Sequence, residues 1–150
     1  MAIERRAHAT WQGDLKRGVG HFDLESSHTI EDEEVTYASR FEQPGGKTSP
    51  EELIAAAHAT CFSMALANGL AEEGHAPKAL ETDATVTLDQ TGGGFGITAI
   101  HLTVRGEVDG LDEDEFREAA EQAKENCPVS KALAAVGEIT LEASLASVPA

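Results

Sequence analysis

The sequence predicts an α+β domain with the element order βββ-α-ββ-α-α-β. Three observations carry that prediction. Short runs alternate apolar and polar residues with the period of a half-buried strand. One long Ala-rich stretch opens on a helix-start motif. The helical stretches are separated by a pair of strands rather than by single ones, which argues against a βαβ repeat. The chain has 150 residues, enough for a real core and suited to a single domain over residues 1–150.

Residues 7–12 and 17–26 alternate as strands, with Gly13-Asp14 as turn chemistry between them. In His21-Phe22-Asp23-Leu24-Glu25 one face takes Phe22 and Leu24. After the polar loop Ser26 to Glu33, the run Val35 to Phe41 alternates again and reads as a third strand. Gln43-Pro44-Gly45-Gly46-Lys47 then breaks the chain. Ser49-Pro50-Glu51-Glu52 starts the first helix: Ser49 suits the N-cap, Pro50 the first helical position, and Glu52 completes a capping box at N3. This helix is expected to run to about Glu73, with Gly74 ending it. Leu53, Ile54, Ala57, Cys61, Met64 and Ala65 place small residues on its inward stripe, and its wide apolar circumference makes it central.

Two strands are expected at about 79–89 and 95–108 across Gly92-Gly93-Gly94, with Ala84, Val86 and Leu88 on one and Ile100, Leu102 and Val104 on the other. Asp112 caps a helix over roughly 112–126, directing Phe116, Ala119, Ala120 and Ala123 inward. Pro128 interrupts that helix just after Cys127, and Lys131 to Val136 form a short third one. Residues 138–146 close the chain as a strand carrying Ile139, Leu141, Ala143 and Leu145.

Composition narrows the function classes. Eleven Lys and Arg against 27 Asp and Glu give a net charge of −16, which repels phosphate backbones and anionic membranes. Arg5 and Arg6 are followed by no apolar signal region, and no run of 18 uninterrupted apolar residues occurs. The expectation is therefore a cytoplasmic chain that binds neither nucleic acid nor membrane. In that compartment Cys61 and Cys127 are reactive or buried thiols rather than a permanent bridge.

Three motifs are weaker than they look. Gly46-Lys47-Thr48 opens a helix, but the phosphate-loop pattern needs a glycine where Phe41 stands. The Gly92–Gly96 run opens no helix and reads as a hairpin loop. His58 and Cys61 share a helix face at i,i+3 spacing, yet a metal site would also need His75 and Cys127, and no carboxylate–histidine cluster supports one. His58 reads as a packed or hydrogen-bonded helix residue. Neither metal nor cofactor is expected.

Cys61 sits mid-helix on the apolar side, where a lone thiol is an inert hydrophobe with a raised pKa. Two features move it from that reading: Cys127 stands at a helix break that can present its side chain, and Arg40 is a costly charge to turn inward without a partner. Arg40-Phe41-Glu42, the stretch Ser49 through Leu66 around His58-Ala59-Thr60-Cys61, Trp11 through Gly18, and Cys127-Pro128-Val129-Ser130 together resemble the OsmC/Ohr peroxidases, on the OsmC side. In Ohr-type members the arginine lies nearer the N-terminus; Arg40, rather than Arg17, matches the OsmC-type placement.

The resemblance implies an OsmC-like fold, with central helices flanked by antiparallel sheets in an intertwined homodimer. It implies a thiol peroxidase acting on organic hydroperoxides, with Cys61 peroxidatic, Cys127 resolving, Arg40 and Glu51 activating, and a lipoyl-type dithiol as reductant. Physical chemistry adds one constraint. Glu51 and Cys61 are ten positions apart, about 15 Å along one straight helix. The field of the helix N-terminus fades within about a turn, so a cation must stabilise the thiolate. If Glu51, Arg40 and Cys61 share a site, the first two are expected from the partner subunit. The competing expectations are a non-catalytic dimeric stress or ligand-binding protein of the same fold, and an acidic α+β interaction module.

Overall fold

The computed structural model describes residues 1–146. They form β1 (His8–Gln12), β2 (Val19–Asp23), β3 (Glu33–Val35), α1 (Tyr37–Phe41), α2 (Pro50–Glu72), β4 (Ala79–Thr91), β5 (Gly94–Glu107), α3 (Glu113–Asn126), α4 (Pro128–Ala132) and β6 (Ile139–Leu145). The fold is α+β, as expected, and the element order is the expected one with α1 added. The described residues divide into two compact units along the chain, 1–53 and 54–146, the division falling between Leu53 and Ile54 of α2.

In the first unit β1, β2 and β3 make an antiparallel sheet in that order. Gly20 of β2 lies opposite Trp11 of β1, and a Cβ there would stand 2.5 Å from the indole ring, so glycine is required for the ring to lie flat on the strand. The expected third strand over 35–41 is corrected: it stops at Val35 and gives way to α1. Local capping overrides alternation here. The Thr36 hydroxyl accepts from the Ser39 amide at 3.1 Å, and the Ser39 hydroxyl accepts from the Thr36 amide at 3.0 Å. Tyr37 and Phe41 stack one turn apart, ring centroids 4.8 Å from each other.

The second unit holds a sheet ordered β4-β5-β6. The hairpin β4–β5 is antiparallel with an irregularity at Thr87/Leu88, but β5 and β6 are parallel. This corrects the expectation of antiparallel sheets alone. Parallel neighbours need a crossover, and the α3–α4 stretch supplies it. Ile100, Leu102 and Val104 point inward from β5 as expected. Phe116, Ala120 and Ala123 do so from α3, whose N-terminus Asp112 and Glu115 close as a reciprocal box. A Cβ at Gly106 would come within 2.5 Å of the Phe116 ring, so α3 lies directly on bare backbone at that point. The short helix begins at Pro128 and ends at Ala132, not over 131–136, because proline pre-sets the first helical φ.

Helix α2 keeps its expected start: the Ser49 hydroxyl accepts from the Glu52 amide at 3.2 Å. The Glu52 carboxylate, however, takes the Thr48 hydroxyl at 2.5 Å instead of reaching back to the N-cap amide. The buried stripe also differs from the expected one. His58, Phe62, Leu66 and Leu70 are fully buried, while Ala57 and Met64 face outward, Met64 at 68% exposure. The i,i+4 ladder of large residues wins because it fills the core with Leu102, Val104 and Phe116. By length and composition α2 is apolar enough to cross a bilayer, with a mean hydropathy of 1.4 over its best window. Its contacts are those of a core helix: one face lies in the apolar cluster and His58 is hydrogen-bonded to α4.

Candidate active site

The four residues singled out from the sequence fall into two pairs, one in each unit. Within residues 1–53, α1 presents Arg40 to Glu51 in the first turn of α2. Arg40 Nε donates to one Glu51 oxygen at 3.0 Å and its terminal Nη2 donates to the other at 2.8 Å. This two-pronged geometry fixes the guanidinium plane. Glu51 is buried at 8% exposure, so without the arginine its carboxylate would be a costly uncompensated charge. The arginine also lies over the Phe41 ring, 5.2 Å from its centroid. One edge of Arg40 is thus committed to Glu51.

The same unit holds a cleft of about 340 Å³. Its wall is mainly apolar: Trp11, Phe22, Tyr37, Phe41 and Leu53, with Arg40 bringing the guanidinium to it. Such a cavity suits a small molecule with a hydrocarbon body and one polar group.

Within residues 54–150, α2 and the α3–α4 junction bring the two thiols together. Cys61 Sγ and Cys127 Sγ are free and 3.0 Å apart, joined by a hydrogen bond. Cys127 is fully buried and Cys61 partly so. Burial pushes the Cys61 thiol above its ordinary value; its hydrogen bond to Cys127 adds to this, and the Val129 amide offsets it only in part. Burial pushes Cys127 upward too, but hydrogen bonding to Cys61, the Ser130 amide and hydroxyl, and the Val129 amide hold it below its ordinary value. These groups favour the anion on Cys127 over the anion on Cys61.

His58, one turn before Cys61, places Nε2 2.7 Å from the Ser130 hydroxyl. Burial holds its imidazole below the ordinary histidine value, so it is neutral near pH 7. The reading of His58 as a hydrogen-bonded helix residue thus stands, but its partner Ser130 was not singled out by itself. The spacing offers a signal: Cys127 and Ser130 repeat the i,i+3 interval of His58 and Cys61, so two short helical faces can meet. His75 lies elsewhere, on the Asp109 carbonyl at 3.3 Å. Among the described residues no group of three His, Cys, Asp or Glu is arranged to hold a metal ion.

Two unbridged thiols in direct contact, one on a core helix and one at a helix junction, define a dithiol protein of α+β class. Residues 43–142 match the family model described as "OsmC-like protein". The chain is 44% identical over 147 residues to the peroxiredoxin OsmC of Escherichia coli (strain K12), covering 98% of this chain and 100% of that protein. It is 34% identical over 98 residues to the organic hydroperoxide resistance protein of Xanthomonas axonopodis pv. citri (strain 306), 65% of this chain and 67% of that one. Among solved structures, the organic hydroperoxide resistance protein of Elizabethkingia anophelis superposes with a TM-score of 0.75 at 26% identity, over 97% of this chain and 100% of that one. OhrB of Bacillus subtilis gives 0.70 at 26% identity, over 94% and 98%. The chain belongs to the OsmC-like protein family.

Proposed function

We propose that the protein is a cytoplasmic cysteine peroxidase, a single OsmC-like domain over residues 1–150, that reduces organic hydroperoxides to alcohols. The observation that carries this reading is the pair of free thiols at 3.0 Å. The names of its relatives, a peroxiredoxin and an organic hydroperoxide resistance protein, support the same chemistry. Cys61, the more accessible sulfur, attacks the distal peroxide oxygen; the alkoxide leaves as alcohol and Cys61 becomes a sulfenic acid. Cys127 then displaces hydroxide, giving the Cys61–Cys127 disulfide before further oxidation. An external dithiol of lipoyl type reopens the bond by exchange.

Cys61 needs a cation, since its own surroundings raise its pKa. Arg40 is the candidate: Glu51 holds one edge of the guanidinium, leaving its other face for a thiolate or peroxide oxygen. Helix α2 runs without interruption from Pro50 to Glu72, which sets Glu51 and Cys61 about 15 Å apart along it. Arg40 and Glu51 therefore serve the Cys61 of a second copy, in a homodimer with two sites. The apolar outward face of α2, with Ala57 and Met64, supports burial against that copy. The apolar cleft beside Arg40 accepts the hydrocarbon part of the peroxide, which favours organic substrates over hydrogen peroxide.

Thiol counting by mass spectrometry after one equivalent of an alkyl hydroperoxide tests the reading. The wild type loses both free thiols, Cys61→Ser consumes no peroxide, and Cys127→Ser turns over once and accumulates sulfenic acid. A wild-type chain that keeps both thiols is a non-catalytic member of the fold.

A further inference from the structure

We propose that His58 and Ser130 form a hydrogen-bonded positioning pair that sustains the sulfur of Cys127 as the attacking thiolate in the disulfide-forming step. The inference rests on the peroxidase reading above and extends it to two residues that reading leaves without a role.

The geometry is a short polar line through an otherwise apolar core. His58 Nε2 meets Ser130 Oγ at 2.7 Å, both side chains being buried. Ser130 stands three residues beyond Cys127, across the first turn of α4, and Cys127 Sγ meets Cys61 Sγ at 3.0 Å. A buried histidine in such a place costs free energy that phenylalanine or leucine would not. His58 Nδ1 is buried with no hydrogen-bond partner among the described residues. That orphan atom fixes the tautomer. A buried acceptor without a partner is tolerated better than a buried N–H without one, so the proton sits on Nε2. Nε2–H then donates to Ser130 Oγ, which frees the serine O–H to point at Cys127. The serine O–H turns its positive end to the sulfur, and the histidine N–H reinforces that hydroxyl from behind. The downward shift of Cys127 agrees with that polarity.

The chemistry gives the pair its task. The reacting state needs Cys61 as the thiolate and Cys127 as the thiol. Arg40 draws the negative charge to Cys61, so Cys127 holds the proton. Cys61 thiolate gives two electrons to the distal oxygen of ROOH, the O–O bond breaks, and the departing alkoxide takes the Cys127 proton to become ROH. Cys127 is left anionic beside the Cys61 sulfenic acid. Its lone pair forms the S–S bond, the S–O bond breaks, and hydroxide departs to be protonated by solvent. Sulfur has lost two electrons in all and peroxide oxygen has gained them. During the second step Ser130, backed by His58, stabilises the charge on Cys127.

Few other titratable groups bear on this sulfur. Helix α2 contributes Cys61 and His58. On α3, Lys124 is turned to the Ile139 carbonyl and Glu121, and on α4, Lys131 is exposed. The sheet residues in the same cluster, Leu102, Val104 and Ala143, are apolar.

Single-turnover kinetics on the full-length protein test the proposal. The reduced wild type, Ser130→Ala, Ser130→Thr, His58→Gln and His58→Phe are mixed with cumene hydroperoxide between pH 6 and 9. Sulfenic acid is trapped with dimedone and disulfide counted by mass spectrometry. Ser130→Ala is expected to slow disulfide formation about tenfold at pH 7, raise its pH midpoint, accumulate dimedone adduct, and recover toward the wild-type rate at pH 9. Ser130→Thr restores the wild-type profile. His58→Gln, which can still donate to Ser130, stays nearer the wild type than His58→Phe, which cannot. A variant slowed equally at every pH, or one that follows the wild type throughout, overturns the pair, since only a polar role bends with pH. A wild type that forms no disulfide removes the peroxidase reading and this one with it. A wild type that forms it, with variants indistinguishable from it, removes this one alone.

Discussion

Arg40 has its guanidinium locked by two hydrogen bonds to a nearly buried carboxylate, at 3.0 and 2.8 Å. A lysine carries the same charge but offers one point contact, so Arg40→Lys cannot hold Glu51 and face a thiolate with a planar edge at once. Arg40→Lys is expected to consume hydroperoxide at least tenfold more slowly than the wild type, and Arg40→Ala more slowly still. In both, the pH midpoint of Cys61 alkylation by iodoacetamide moves upward, because burial raises that thiol once its cation is lost. The sign follows from the charge: removing a cation favours the neutral thiol, so higher pH is needed to form the anion. An alkylation midpoint indifferent to Arg40 would falsify the account of activation. At this scale Cys61, Cys127 and Arg40 could be singled out in the sequence because a thiol and a charge are conspicuous where they stand, whereas Glu51 came only with the family resemblance. Ser130 could not be singled out, since an isolated serine after a proline carries no such mark.

Elements show where local chemistry prevails and where packing does. Asp112 caps α3 through the Glu115 amide at 2.8 Å, and Asp112→Ala should destabilise the protein by about 1 kcal/mol in urea unfolding. Phe116, fully buried against Gly106, is a larger debt to the fold: Phe116→Ala should cost about 3–5 kcal/mol. Gly106→Val should cost about 1–3 kcal/mol by forcing the ring away from the strand. If both core variants unfold with the wild type, the sheet–helix contact is not what stabilises the second unit. α1 was read as strand because five residues with aromatic ends alternate as well as they coil, and only the Thr36–Ser39 box decides between them. The parallel β5–β6 pairing was equally invisible, since alternation along a strand carries no information on its neighbour's direction.

At the scale of the whole molecule, α2 makes the prediction. One face of it fills the core, while the other carries Ala57 and Met64 outward on a chain of net charge −16. If α2 lies at the interface of the proposed homodimer, Met64→Lys should shift sedimentation from dimer to monomer and reduce peroxidase activity in step with the loss of dimer. A variant that stays dimeric places the interface elsewhere. Because like charges oppose assembly, raising salt from about 0.05 to 0.5 M should strengthen the proposed dimer.

From its residues alone the chain determined its α+β class, most of its element boundaries and which two cysteines were candidates for chemistry. Periodicity, capping boxes and the placement of cysteine and arginine act over a few neighbouring positions and are written in the sequence itself. Tertiary structure decided three other things: that Cys61 and Cys127, 66 positions apart, meet at 3.0 Å; that Glu51 takes both prongs of Arg40; and that His58 finds Ser130. Each depends on how separate elements pack, and packing is set by the sum of many buried contacts that no local pattern encodes.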